Sequence, residues 1–195
     1  MQKLVIATSN KGKLKEIKEM LGGMYEIVSM KDVGFNAEIE ETGETFEENS
    51  LLKAKAVYDF CHLPSLADDS GLMVDALNGA PGVYSARYAG ENHSDKANRQ
   101  KLLDELFDVS LRTAKFVSVI TLIDENEDVF VGIGETKGEI TREERGENGF
   151  GYDSLFFSYD LQKTFGQATD EEKNEVSHRL RALADLTKKL WYYKK

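Results

Sequence analysis

The sequence predicts an α/β protein, a mixed β-sheet with helices packed on its faces. Short β-rich runs alternate with helix-period stretches early in the chain, as a sheet with helical crossovers requires. Paired alternating runs dominate the middle, which adds antiparallel strands. The 195 residues are 41% hydrophobic and 31% charged. That balance supports a full core and excludes a disordered or fibrous chain.

The elements follow in order. Residues 3–8 are a β-rich run. Ser9 and Asn10 supply cap chemistry for a helix from Lys13 to Leu21, where Leu14, Ile17, Met20 and Leu21 recur at helical spacing. Gly22 and Gly23 end it. Residues 25–30 read as a second strand. After an acidic stretch, Thr45 caps a long helix to about Cys61, with Phe46, Leu51, Ala54, Val57 and Tyr58 on or near one face. Ser65 begins a short third strand that ends near Asp68 and Asp69. Residues 77–82 are loop chemistry, and 94–107 read as an amphipathic helix. Residues 115–123 and 129–136 alternate as two antiparallel strands around the acidic turn 124–127, and Gly132-x-Gly134 reads as a bulge. Residues 150–157 are aromatic and partly β. Thr169 caps a last helix to about Leu190, with Glu172 spaced for a capping box. No repeat or linker divides the chain, so one compact unit over residues 1–195 is expected.

Charge and composition narrow the function. The formal net charge is −10, which argues against a nucleic-acid or anionic-membrane binder and leaves room for a local basic pocket. Cys61 is the single cysteine, read as a small buried hydrophobe. The opening apolar run is too short for a signal peptide and no stretch approaches a membrane span. A cytoplasmic location is the default expectation.

Four constellations carry chemistry. Thr8, Ser9, Asn10, Lys11, Gly12 and Lys13 form a strand-to-helix turn. Lysines in a helix's first turn oppose its dipole, and a bound phosphate reverses that cost by meeting ammonium groups and free N–H groups together. The bland reading is solvated lysines. The turn is neither a Walker loop nor a dinucleotide fingerprint. Asp68 and Asp69 come second, near acidic residues 38–48. Successive strand residues point to opposite faces, so one carboxylate is expected to reach a given cleft. One Asp and one Glu suffice for Mg²⁺ that shares its shell with phosphate and water. Third, Gly149, Phe150, Gly151, Tyr152 and Asp153 either flank a flat ligand or make a glycine-relieved bend with core aromatics. Fourth, Lys173, His178 and Arg179 lie off the buried stripe of the last helix and can donate to base edges and phosphates.

Six blocks in this order, T-S-N-x-x-K, E-T-G-x-T-F-x-E-N-S-x-x-K-A, A-D-D-S-G-L, G-A-P-G-V-Y-S-A-R-Y-A-G, G-F-G-Y-D and S-H-R, resemble the inosine/xanthosine triphosphate pyrophosphatase family over nearly the whole chain. The resemblance implies an elongated mixed sheet, two lobes around a nucleotide cleft, and a homodimer. It implies Mg²⁺-dependent hydrolysis of ITP, dITP and XTP to the monophosphate and pyrophosphate. Thr8–Lys13 match the triphosphate loop and Ser70 a substrate contact. Asp69 matches the essential acid, proton acceptor and metal ligand. A metal-bound carboxylate is a weak base, so Asp68 is a second candidate for one of those roles. Glu40 matches the second metal carboxylate, with Glu41 and Glu48 in nearby register. Phe150–Asp153, Lys173, His178 and Arg179 match the base and phosphate pocket. Phe150 is expected to stack on the purine, His178 and Arg179 to meet its 6-oxo edge, and Lys13 and Lys173 to hold the leaving phosphates. A related-fold enzyme for pyrimidine or modified-base triphosphates and a non-catalytic nucleotide sensor are the alternatives.

Overall fold

The structure, a computed structural model, describes residues 1–193. Strand β1 (Lys3–Ile6) pairs in parallel with β2 (Glu26–Ser29) and with β3 (Ser65–Val74), in registers that set Val5 opposite Val28 and Ser65. The sheet continues through β4 (Thr113–Ile123), β5 (Val129–Ile140), β6 (Phe156–Ser158) and β7 (Lys163–Thr164), in the order β2-β1-β3-β4-β5-β6-β7. The β5–β6 and β6–β7 pairs are antiparallel. This is the mixed sheet of an α/β protein.

Packing groups the chain into two compact units. The first contains Met1–Asp69, Ser118–Gly134 and the chain from Arg179 onward; the second contains Ser70–Val117 and Glu135–His178. Strand alternation builds the first unit. Leu4, Ile6 and Leu66 join Ile17 and Leu21 of α1 (Lys11–Leu21) and Ala182, Leu183 and Leu186 of α5 (His178–Tyr193). Their neighbours Val5, Ala7 and Ala67 turn to the opposite face and join Ala54, Val57 and Tyr58 of α2 (Phe46–Cys61). In the second unit, Leu72 and Val74 pack with Leu102 and Leu106 at α3 (Asp95–Glu105), with Phe116, and with Tyr152, Leu155, Phe156 and Phe165.

The structure departs from the sequence expectations at several places. Strand β3 has ten residues, and all but Ser70 and Met73 are buried. Asp68 and Asp69 therefore lie inside a buried strand rather than at its end, because ion pairs make two charges tolerable there. The last helix is two: α4 (Asp170–Val176) stops at Ser177, whose backbone is extended, and α5 begins at His178. Gly132 is no bulge. A Cβ there would stand 2.2 Å from the Ala182 carbonyl and 2.6 Å from Leu186, so the missing side chain lets α5 approach β5. Helix α3 is hardly amphipathic, since Asn98 and Leu102 are its buried residues. Cys61 is half-buried at the end of α2.

Candidate functional site

The parity of β3 decides where the carboxylates go. Leu66 shares its face with α1 and α5, so Asp68, two residues on, points there too. Ala67 faces α2, and so does Asp69. Both sit just beyond Ile6 and Leu66, the last paired positions of β1 and β3, where open α/β sheets collect ligands.

Asp68 is fully buried among cations. Its Oδ2 accepts from Lys13 Nζ at 2.9 Å and from Arg179 Nη2 at 3.1 Å, and its Oδ1 accepts from Ser118 Oγ at 2.5 Å. Arg179, 1% exposed, is also paired with buried Glu16 of α1. Burial alone would raise the Asp68 pKa. Arg179, Lys13 and the Ser118 hydroxyl overcome that and hold it well below the ordinary carboxylate range. Two carboxylates and two cations make this cluster neutral.

The α2 side is built on one lysine. Lys53 Nζ donates to Asp69 Oδ1 at 2.9 Å and to Glu41 Oε1 at 2.6 Å. One ammonium thus serves two carboxylates. Desolvation pushes the Asp69 pKa up, Lys53 and Lys13 oppose it, and Glu41 adds to the rise. Asp69 Oδ2 is buried and has no hydrogen-bond partner. Among the described residues no group of three or more His, Cys, Asp or Glu could enclose a metal alone. An orphaned carboxylate oxygen with a second carboxylate on the same lysine nevertheless fits a hard cation that takes its remaining ligands from phosphate and water. Asp69 fits directly, and Glu41 stands nearest through Lys53. Glu40 is exposed and engaged by no hydrogen bond or ion pair among the described residues, whereas Glu41 is half-buried. Glu48 has another job: it closes the α2 capping box, accepting from Thr45 N at 3.2 Å while Thr45 Oγ1 accepts from its own N–H.

The turn before α1 is built as a helix start. Asn10 is the N-cap, its side chain accepting from Lys13 N at 3.1 Å, and its own N–H donates to Thr8 Oγ1 at 3.1 Å. No acid occupies the first turn, so the free N–H groups there meet no built-in anion. Ser9, Asn10 and Lys11 are exposed; Thr8, Gly12 and Lys13 are half-buried.

The second unit gathers the remaining residues. Gly149 and Gly151 have φ of 75° and 60°, the left-handed region that glycine enters freely. Between them, Phe150 donates its N–H to Asp153 Oδ2 at 3.0 Å. The same oxygen accepts from Lys173 Nζ at 2.7 Å. Lys173, 3% exposed, lies 4.6 Å from the Phe150 ring centroid and 5.7 Å from that of Phe165, a cation–π arrangement. His178 stacks on Phe116 with centroids 4.9 Å apart and a 16° interplanar angle. Tyr152 is buried, its hydroxyl donating to the Ser85 carbonyl at 2.7 Å. Ser70 is half-buried.

The first unit therefore joins Asp68, Lys13 and Arg179, and links Asp69 to Glu41 through Lys53. The second joins Phe150, Asp153 and Lys173. Arg179 spends its terminal nitrogens on carboxylates, and Lys173 on Asp153, occupations the sequence did not suggest. Sequence reasoning also missed Lys53 and Glu16. Lys53 could have been found as a lysine within a helix stretch otherwise facing the core. Glu16 directly precedes the core residue Ile17, and only that neighbour hinted at burial.

Comparison with known proteins adds an independent line. The sequence model of the Ham1 family matches residues 4–189. The chain is 50% identical to the dITP/XTP pyrophosphatase of Haemophilus influenzae, over 97% of this chain and 99% of that one. It is 47% identical to that of Bacillus subtilis, over 97% and 98%. The structure of the Staphylococcus aureus Ham1 protein superposes with a TM-score of 0.87 at 42% identity, covering 100% of both chains.

Proposed function

The chain belongs to the Ham1 family, and from that premise we propose that it is a nucleoside triphosphate pyrophosphohydrolase. It takes non-standard purine nucleotides, ITP, dITP and XTP, to the monophosphate and pyrophosphate. One observation carries the chemistry: in β3, Asp69 keeps a buried carboxylate oxygen with no hydrogen-bond partner, beside a second carboxylate, Glu41, on the same lysine.

Mg²⁺, held by Asp69 with Glu40 or Glu41, would neutralise charge on the triphosphate. The chain's own groups divide the remaining work. Lys53 fixes Asp69 through Oδ1 and leaves Oδ2 for the reaction. Asp69 accepts the proton of the attacking water, directly or through a second water. Asp68, held ionised by Arg179, is the poorer base. It positions Lys13, whose ammonium has three donors and whose side chain retains 14% exposure. Lys13 and the free N–H groups of the α1 start receive the leaving phosphates. In the second unit, Lys173 covers one face of Phe150, and the ring's other face takes the purine. The homodimeric state and cytoplasmic location belong to the same reading. Among the described residues no helix is long and apolar enough to cross a membrane.

Purified protein with Mg²⁺ should convert ITP to IMP and pyrophosphate much faster than it attacks ATP. Release of orthophosphate in place of pyrophosphate would sink the mechanism.

A further inference from the structure

Helix α3 poses a question of its own. It buries little apolar surface, yet its polar residues reach two loops. Asn98 accepts from Ala89 N at 2.7 Å and donates to the Ala86 carbonyl at 3.0 Å; Lys101 donates to the Tyr88 carbonyl at 2.8 Å. These bonds fasten the segment that follows Pro81. The other pair acts on the loop that carries Phe150. Arg99 Nη1 donates to the Gly151 carbonyl at 2.9 Å, and Asp95 Oδ2 accepts from Gly151 N at 2.9 Å. Both backbone groups of one glycine are thus gripped by one helix. Arg99 is itself steadied by Glu144, which accepts from its Nε at 2.9 Å.

The grip falls where the loop most needs it. Gly149 and Gly151 both take left-handed backbone angles, and glycine costs the most entropy to hold in one conformation. Asp153 restrains the loop from within, at Phe150 N. Arg99 and Asp95 restrain it from outside. With both sets present, the Phe150 ring plane is fixed over Lys173.

We propose that Arg99 and Asp95 are positioning residues for base recognition: they hold Gly151 so that Phe150 presents a preset stacking face, and they set affinity for the purine without taking part in phosphoanhydride cleavage. This rests on the reading of Phe150 as the base platform. Preorganisation of this kind lowers the ordering cost of binding and leaves chemistry at a distant bond unaffected.

The test uses the whole enzyme with Arg99→Ala, Asp95→Ala and Asp95→Asn, the last keeping an oxygen to accept the Gly151 N–H. Steady-state kinetics on ITP are measured with product inhibition by IMP and, separately, by pyrophosphate. The alanine variants should raise KM for ITP and Ki for IMP about tenfold, the scale of a lost hydrogen bond to a charged group. Their kcat and their Ki for pyrophosphate should stay unchanged, and Asp95→Asn should behave as wild type. If an alanine variant does not fold, Arg99→Lys, which keeps the charge but loses the guanidinium fork that reaches Glu144 and Gly151 together, is held to the same split. Equal losses toward IMP and pyrophosphate, a fall in kcat at constant KM, or variants indistinguishable from an active wild type would overturn the inference alone. Wild-type protein inactive on ITP would overturn the proposed function and this inference with it.

Discussion

Asp68 and Asp69 are adjacent carboxylates in opposite electrostatic situations. Asp68 is balanced by Arg179 and Lys13, while Asp69 shares Lys53 with Glu41. Substitution should separate them. Asp69→Asn keeps an acceptor for Lys53 and loses the anionic oxygen, so turnover of ITP should vanish while the melting temperature stays near that of wild type. Retained activity would remove Asp69 from its role. Arg179→Met should act through the fold as well, because it leaves Asp68 and Glu16 buried without their shared cation. Breaking a buried pair from one side costs about 3–5 kcal/mol, and denaturant unfolding should report a loss of that order. The two aspartates were legible as an unusual pair, but their division of labour was not. It depends on Glu16, which meets Arg179 across 163 residues, and on Lys53, which meets Asp69 across 16.

At the scale of elements, caps were the most legible features. Thr169 with Glu172 forms the expected box, and Thr45, expected as a cap, forms a second one with Glu48, because a hydroxyl and a carboxylate three residues apart satisfy each other's backbone locally. Glu172 allows a test of sign. Hydrogen bonds from Lys163 and from Thr169 N lower its pKa below the ordinary 4.5. Its contribution to α4 is therefore complete above pH 4.5 and is lost as pH falls through the lower folded value. Amide exchange should show constant protection of the first α4 turn above that pH and declining protection below it. Glu172→Gln should remove the dependence. Element ends were read less well where tertiary contacts decide them. Strand β3 looked as if it stopped at its charges, and the break at Ser177 was invisible because apolar spacing continues on both sides of it.

For the whole molecule, the reading makes activity conditional on a divalent cation that the described residues do not enclose by themselves. Chelation should abolish pyrophosphate release, and added Mg²⁺ should restore it without a change in secondary structure, since both units have complete cores of their own. Circular dichroism and pyrophosphate assays on the same sample would check both halves. Unfolding on chelation would contradict it. Two lobes were legible only through the family resemblance, not through composition or linkers. Strands β3, β4 and β5 each contribute residues to both units, so no linker or change of composition marks the boundary.

The sequence by itself determined the α/β class, the order of the elements, their caps and the blocks that identify the family. All of these rest on local periodicity or on residues that act within a few positions of one another. Tertiary structure alone decided which carboxylate is balanced and which keeps an open oxygen, that Arg179 and Lys173 are held by Asp68 and Asp153, and that α3 grips the Phe150 loop. Those are properties of charge and hydrogen bonding through space, where partners far apart in the chain compete for the same buried atoms.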